Sequence, residues 1–146
     1  MSIVSTAAPD SASAADAAQS RQLVVCALGA EEYGLPIEQV REIVRAVEPR
    51  PVASELPWMR GVIGLRGRLV PVHDLAVRLG VEARRGASAK LVIVETTADP
   101  LAVLVDDVVE VLRVEAAQIE PVPSGSGEIA RVVERLVLLL DADELA

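Results

Sequence analysis

The apolar positions of this chain fall in short runs, broken at close intervals by Gly, Pro and charged residues, which predicts many short strands rather than long helices. QLVVCAL, residues 22–28, is a continuous apolar run. Gly29 to Glu32 supplies a turn and Tyr33 to Ile37 returns, so the segment predicts a hairpin. Ile37, Val40, Ile43, Val44 and Val47 fit helical spacing. Val and Ile are stiff at χ1 and suit a twisted strand equally, and the strand reading starts at Val40. Residues 48–57 hold three prolines and predict an irregular connection that ends in a turn around Trp58 and Met59.

GVIGLRGRLVPVHDL, residues 61–75, is the most informative stretch. Val62, Ile63 and Leu65 precede a basic turn at Arg66, Gly67 and Arg68, and Leu69, Val70 and Val72 follow it; Gly67 takes the positive φ such a reversal needs. Pro71 lacks a ladder donor and predicts that this second strand lies at a sheet edge. Asp74 is placed to cap a short helix from Leu75 to Leu79 that Gly80 stops. A polar loop over 82–89 leads to strands at 91–95, 101–105 and 108–114. Residues 118–127 predict a loop, 131–140 a strand pair or one long strand, and 141–145 a helical turn. Eight to ten strands at such spacing predict a mainly β domain built of small barrels.

Composition narrows the function. The 146 residues allow one domain or two small subdomains sharing a core, and 51% are apolar, so a sizeable interior is available. Tyr33 and Trp58 are its two aromatic residues, so that interior is aliphatic and no extended stacking platform for single-stranded nucleic acid exists. A net charge of −8 also opposes nucleic acid as a partner. The single cysteine, Cys26, excludes an intramolecular disulfide and lies in an apolar run, as a small core residue does. No span of about 18 apolar residues is free of charge, which argues against a transmembrane helix. Residues 1–20 are rich in Ala and Ser and are expected to be a disordered tail without the features of a secretory signal, ahead of a single domain over 21–146.

The ordered segments LVVCALGAEEYGLPIEQVREIV, PWMRGVIGLRGRLVPVHDL, KLVIVE, LAVLVDDVVEVL and RLVLLLDADEL resemble the CheW-like domain of bacterial chemotaxis coupling proteins and of the regulatory end of their partner histidine kinase. The resemblance implies two five-stranded SH3-like barrels side by side, with short helices, and a non-catalytic adaptor without a cofactor. Its implied partners are the regulatory domain of a CheA-type histidine kinase and the cytoplasmic tip of a chemoreceptor, and its implied location is cytoplasmic, at receptor arrays. It leaves open a non-flagellar output such as surface motility. Gly64, Ala76 and Ala102 depart from the residues more usual in the family, namely Asn, Arg and Gly.

By the same resemblance, Arg66 and Glu42 form an ion pair linking the turn to the VREI segment, and Val40, Leu69, Leu91 and Val111 occupy positions of exposed apolar contact. The plain alternative is a surface salt bridge of little consequence and ordinary core aliphatics, with about half of the four simply buried. His73 and Asp74 raise a rival reading, a small enzyme using the lone histidine as a base, but neither has companions in sequence for a metal or catalytic site. Trp58 is expected to pack over a barrel end. SGSG, residues 124–127, is not followed by the Lys-Ser/Thr of a phosphate loop.

Overall fold

The computed structural model describes residues 20–123 and 125–146; the Ala/Ser-rich tail over 1–19, and Ser124 of the SGSG segment, lie outside the described residues. The chain forms β1 (Arg21–Leu28), β2 (Glu31–Pro36), β3 (Val40–Arg45), β4 (Met59–Leu65), β5 (Arg68–Asp74) and helix α1 (Leu75–Leu79). It continues through β6 (Lys90–Val94), β7 (Leu101–Val105), β8 (Asp107–Val114), β9 (Ile119–Pro121), β10 (Glu128–Val132) and β11 (Arg135–Leu139) to helix α2 (Ala142–Leu145). The strands make two sheets, in the orders β8-β1-β2-β11-β10-β9 and β3-β6-β7-β5-β4.

Each sheet rolls up for a visible reason. In the first, the marginal strands β8 and β9 are joined through a 3-10 turn at Ala116–Gln118. Val114 and Ile119 from those margins share one core with Leu23, Val25, Ala130 and Val137. In the second, the chain leaving β3 comes back to β4 at Arg50, whose N–H and C=O both bond Val62 at 2.9 Å. Gly61 makes that approach possible: a Cβ there would meet the Arg50 carbonyl oxygen at 2.1 Å.

Three cores follow from the period-2 alternation of strands buried on both faces. Leu23 and Val25 of β1 point into the first barrel, while Val24, Cys26 and Leu28 enter a core shared between the barrels. On β6, Leu91 and Ile93 fill the second barrel and Val92 and Val94 face the shared core. Leu75 and Ala76 of α1, and Ala142 and Leu145 of α2, complete that shared layer, with Tyr33 as its buried ring. Burial pushes the Cys26 thiol up to about 12, as a structural role requires.

Two expectations need correction. The first sheet has six strands, because Ile119–Pro121 pairs with β10 where a loop was expected; three residues are too few for periodicity to register. Pro71 does not lie on an edge strand, since β5 sits between β4 and β7. The ladder with β7 starts one residue later, at Val72 opposite Ala102, so the missing donor of Pro71 falls just outside it. The final stretch resolves into a strand pair joined at Val133 and Glu134.

Candidate protein-binding surface

The β4–β5 hairpin turns through Arg66 and Gly67, with φ values of 52° and 79°. Two consecutive residues at positive φ make a type I′ turn, which matches the twist of the strands but favours Asn, Asp or Gly at its first position. An arginine there is strained, and its side chain is committed. Its Nε donates to Glu42 Oε1 at 3.0 Å and its terminal nitrogen to Oε2 at 3.2 Å, a two-pronged pair across to β3. A bulge in β3 between Val40 and Glu42 accompanies this arrangement, and Arg41, the extra residue, turns to Glu95 at 2.7 Å. The Arg66 hydrogen bond holds the Glu42 carboxyl below its ordinary range, and Glu42 in turn raises the Arg66 guanidinium.

Leu69, three residues past Arg66 on the same hairpin, is 76% exposed; Val111, on the margin strand of the other barrel, is 54% exposed. Val40 is half-buried against the shared core. Leu91 is fully buried, at 0% exposure, within the second barrel, and is corrected from a contact residue to a core residue. The cause is β6 itself, a strand covered on both faces, whose unbroken LVIV run leaves no side chain free.

The alternating VREIVR pattern of β3 also exposes Ile43, and Val47 follows at 56% exposure. Val47, Arg50, Val62, Ile63, Gly64 and Leu69, with Glu48 and Pro51, line a groove of about 550 Å³ on the outside of the second barrel. The signal for it was in the sequence: if Val44 is core, then Ile43 faces outward.

His73 and Asp74 have other partners. Consecutive on a strand, they face opposite sides. The buried His73 imidazole bonds the Leu145 backbone. Asp74 caps α1, its Oδ1 accepting from Ala76 N at 3.1 Å and Val77 N at 3.3 Å, and it also binds Arg85. Arg85 bridges on to Asp106, which accepts from the Gly29 and Arg84 backbones as well. Burial pushes the Asp106 carboxyl up, but these donors outweigh it and hold the group below its usual range. Trp58 lies under the Arg78 guanidinium, 4.4 Å from the ring centre. Among the described residues no group of three or more His, Cys, Asp or Glu could hold a metal, and no helix is long and apolar enough to cross a membrane.

The family model described as the CheW-like domain matches residues 22–146. The chain belongs to the CheW-like family. A relative from Rhizobium etli, "Probable chemotaxis protein CheW", is 34% identical over 123 residues, covering 83% of this chain and 79% of the relative. "Protein FrzA" of Myxococcus xanthus is also 34% identical, over 124 residues, with 84% and 78% covered. The crystal structure of the scaffolding protein TtCheW from Thermoanaerobacter tengcongensis superposes with a TM-score of 0.80 at 29% identity, covering 86% of each chain. The two-sheet CheW-like fold expected from the sequence is thus the fold observed, with one added strand in the first sheet. The CheW-like match spans both barrels, so the Arg66–Glu42 pair and the groove beside Leu69 belong to the family domain itself.

Proposed function

We propose that this chain is a non-catalytic adaptor that holds the regulatory domain of a CheA-type histidine kinase against the cytoplasmic tip of a chemoreceptor. The observation that carries this reading, within the CheW-like assignment, is the two-pronged Arg66–Glu42 pair built on a strained turn of the hairpin that also carries the exposed Leu69. A residue kept at an unfavourable φ on an exposed hairpin is explained by what its side chain does there. Val40, Glu42, Arg66, Leu69 and Val111 are the proposed contact residues, with Leu91 supporting β6 from inside. The adaptor acts in the cytoplasm, recruited to receptor arrays, by fixing the geometry of its partners. Contacts of micromolar strength need about −8 kcal/mol, which an interface of ~800 Å² on each side with a few aliphatic anchors provides.

Arg66→Glu tests this directly, because it sets two carboxylates together while leaving every core residue in place. The expected result is a folded protein with at least tenfold weaker binding to the kinase domain or the receptor tip, measured by calorimetry. Unchanged binding to both in a folded variant refutes the reading. The Myxococcus xanthus relative, whose name is not that of a chemotaxis protein, supports a second reading of output alone: the same adaptor chemistry serving another kinase pathway.

A further inference from the structure

Two kinds of contact join the barrels, and they do different work. The shared core is aliphatic apart from Cys26 and Tyr33, and apolar burial is non-directional: it brings surfaces together without choosing the angle between them. Directional contacts stand at opposite ends of β2. Beyond its last residues, α2 is held by Gln39, by Arg78 and by the Thr97 N–H, which donates to Asp143 at 2.6 Å. Before its first residues lies a group centred on Arg85.

Arg85, on the loop between α1 and β6, sends one terminal nitrogen to Asp74 and the other to Asp106. Asp74 ends β5 in the second barrel, and Asp106 is the single residue between β7 and β8, where the chain crosses from one barrel to the other. Asp106 is in turn fastened to the first barrel: its carboxylate accepts from the Gly29 N–H at 2.7 Å, and its own N–H donates to the Ala27 carbonyl at 3.0 Å. The loop lies directly on that β1–β2 turn, since a Cβ on Gly29, at φ 59°, would meet the Glu82 carbonyl oxygen at 2.5 Å. One guanidinium fork thus spans from the second barrel to the crossover tied to the first. Both carboxylates are buried, with side-chain exposures of 6% and 7%. Buried ion pairs add little net stability, because desolvation offsets their attraction and apolar residues of similar volume often serve as well. What a planar fork between two carboxylates supplies is geometry.

We propose that Arg85 is a positioning residue: through Asp74 and Asp106 it sets the angle between the two barrels, and with it the angle at which the adaptor holds its two partners. The second half rests on the adaptor reading; the first does not.

Asp106→Asn is the gentlest test. Its Oδ1 still takes the Gly29 and Arg84 N–H groups, while its amide turns a donor toward Arg85 and breaks that arm. Arg85→Met with Asp106→Asn removes the fork altogether and leaves Asp74 with its α1 cap and with Arg60 at 3.4 Å. Ile93→Val, inside the second barrel, is the control for lost stability alone. Spin labels on cysteines introduced at the exposed Arg45 of β3 and Val109 of β8 report the distance between barrels, with Cys26 sealed in the core. The parent and Ile93→Val are expected to give one narrow distance, and both fork variants a distribution at least twofold wider. The fork variants are expected to bind the kinase regulatory domain and the receptor tip singly with parental affinity, yet to lose at least threefold of the receptor's effect on kinase activity. A parental distribution in a folded fork variant, or equal widening in Ile93→Val, overturns the positioning role. Parental kinase control despite a widened distribution, or lost binding to either partner alone, overturns its consequence for coupling. If the double variant does not fold, Asp106→Asn decides. If the parent binds neither partner, the adaptor reading fails and the distance measurement still judges the angle.

Discussion

At the scale of single residues, the same residue type does opposite work according to which face of a strand it occupies. Leu91 and Leu69 are both leucines on strands of the second barrel, yet one is sealed inside and the other stands in solvent. Leu91→Ala is expected to destabilise the fold by about 2–5 kcal/mol through lost transfer energy and a residual cavity. Leu69→Ala is expected to change stability by less than about 0.5 kcal/mol while weakening partner binding. Urea unfolding of the two variants checks this, and equal losses would show that Leu69 is structural. The sequence carried the Arg66–Glu42 pairing through resemblance to a family, and the coordinates supply the geometry. The unbroken LVIV run around Leu91 was the sequence signal of a strand covered on both faces, whereas Leu69 alternates with the buried Val70 and stands on the outward face of β5.

Among the elements, long apolar runs were legible and short or two-sided ones were not. β1, β6 and β7 follow from continuous runs, and the Asp74 cap of α1 follows from one carboxylate ahead of a short apolar turn. β3 was readable as strand once the stiffness of Val and Ile was weighed against helical spacing. β9 escaped because three residues show no period, and the interior position of β5 escaped because a proline reports on a donor and not on a whole strand. α2 shows how a small element is held. Gln39 accepts from Ala142 N at 2.8 Å, Arg78 donates to the Glu144 carbonyl at 3.0 Å, and His73 bonds the Leu145 backbone. Burial depresses the His73 imidazole below its ordinary value of 6.5; the Leu145 bond opposes this and the charge of Arg78 adds to it. The unfolded chain therefore takes up this proton first as pH falls, so the contribution is present above 6.5 and is lost as pH drops through the lower native value. Urea unfolding at about pH 7.5 and about pH 5.5 is expected to show that loss in the parent and a smaller one in His73→Gln; an identical pH dependence in the two would assign the loss to other groups.

At the scale of the whole molecule, the shared core is what makes two small barrels one body. β1 and β2 of one barrel, β6 and β7 of the other, and both helices all contribute to it, so the two outer surfaces keep a fixed relation. The Arg85 bridge between Asp74 and Asp106 fastens the 82–89 loop to both α1 and the β7–β8 turn, with the Gly29 turn joined at the same carboxylate. A body of this kind suits an adaptor, whose contribution is to hold other proteins at a set distance and angle. The most direct test is reconstitution: purified kinase and the receptor's cytoplasmic fragment are combined with and without this protein, and assembly is followed by size-exclusion chromatography with light scattering. The account predicts a three-component complex that forms when this chain is present, does not form in its absence, and is lost with Arg66→Glu. A kinase–receptor complex that forms equally well without the chain, or one that the chain never enters, would contradict it.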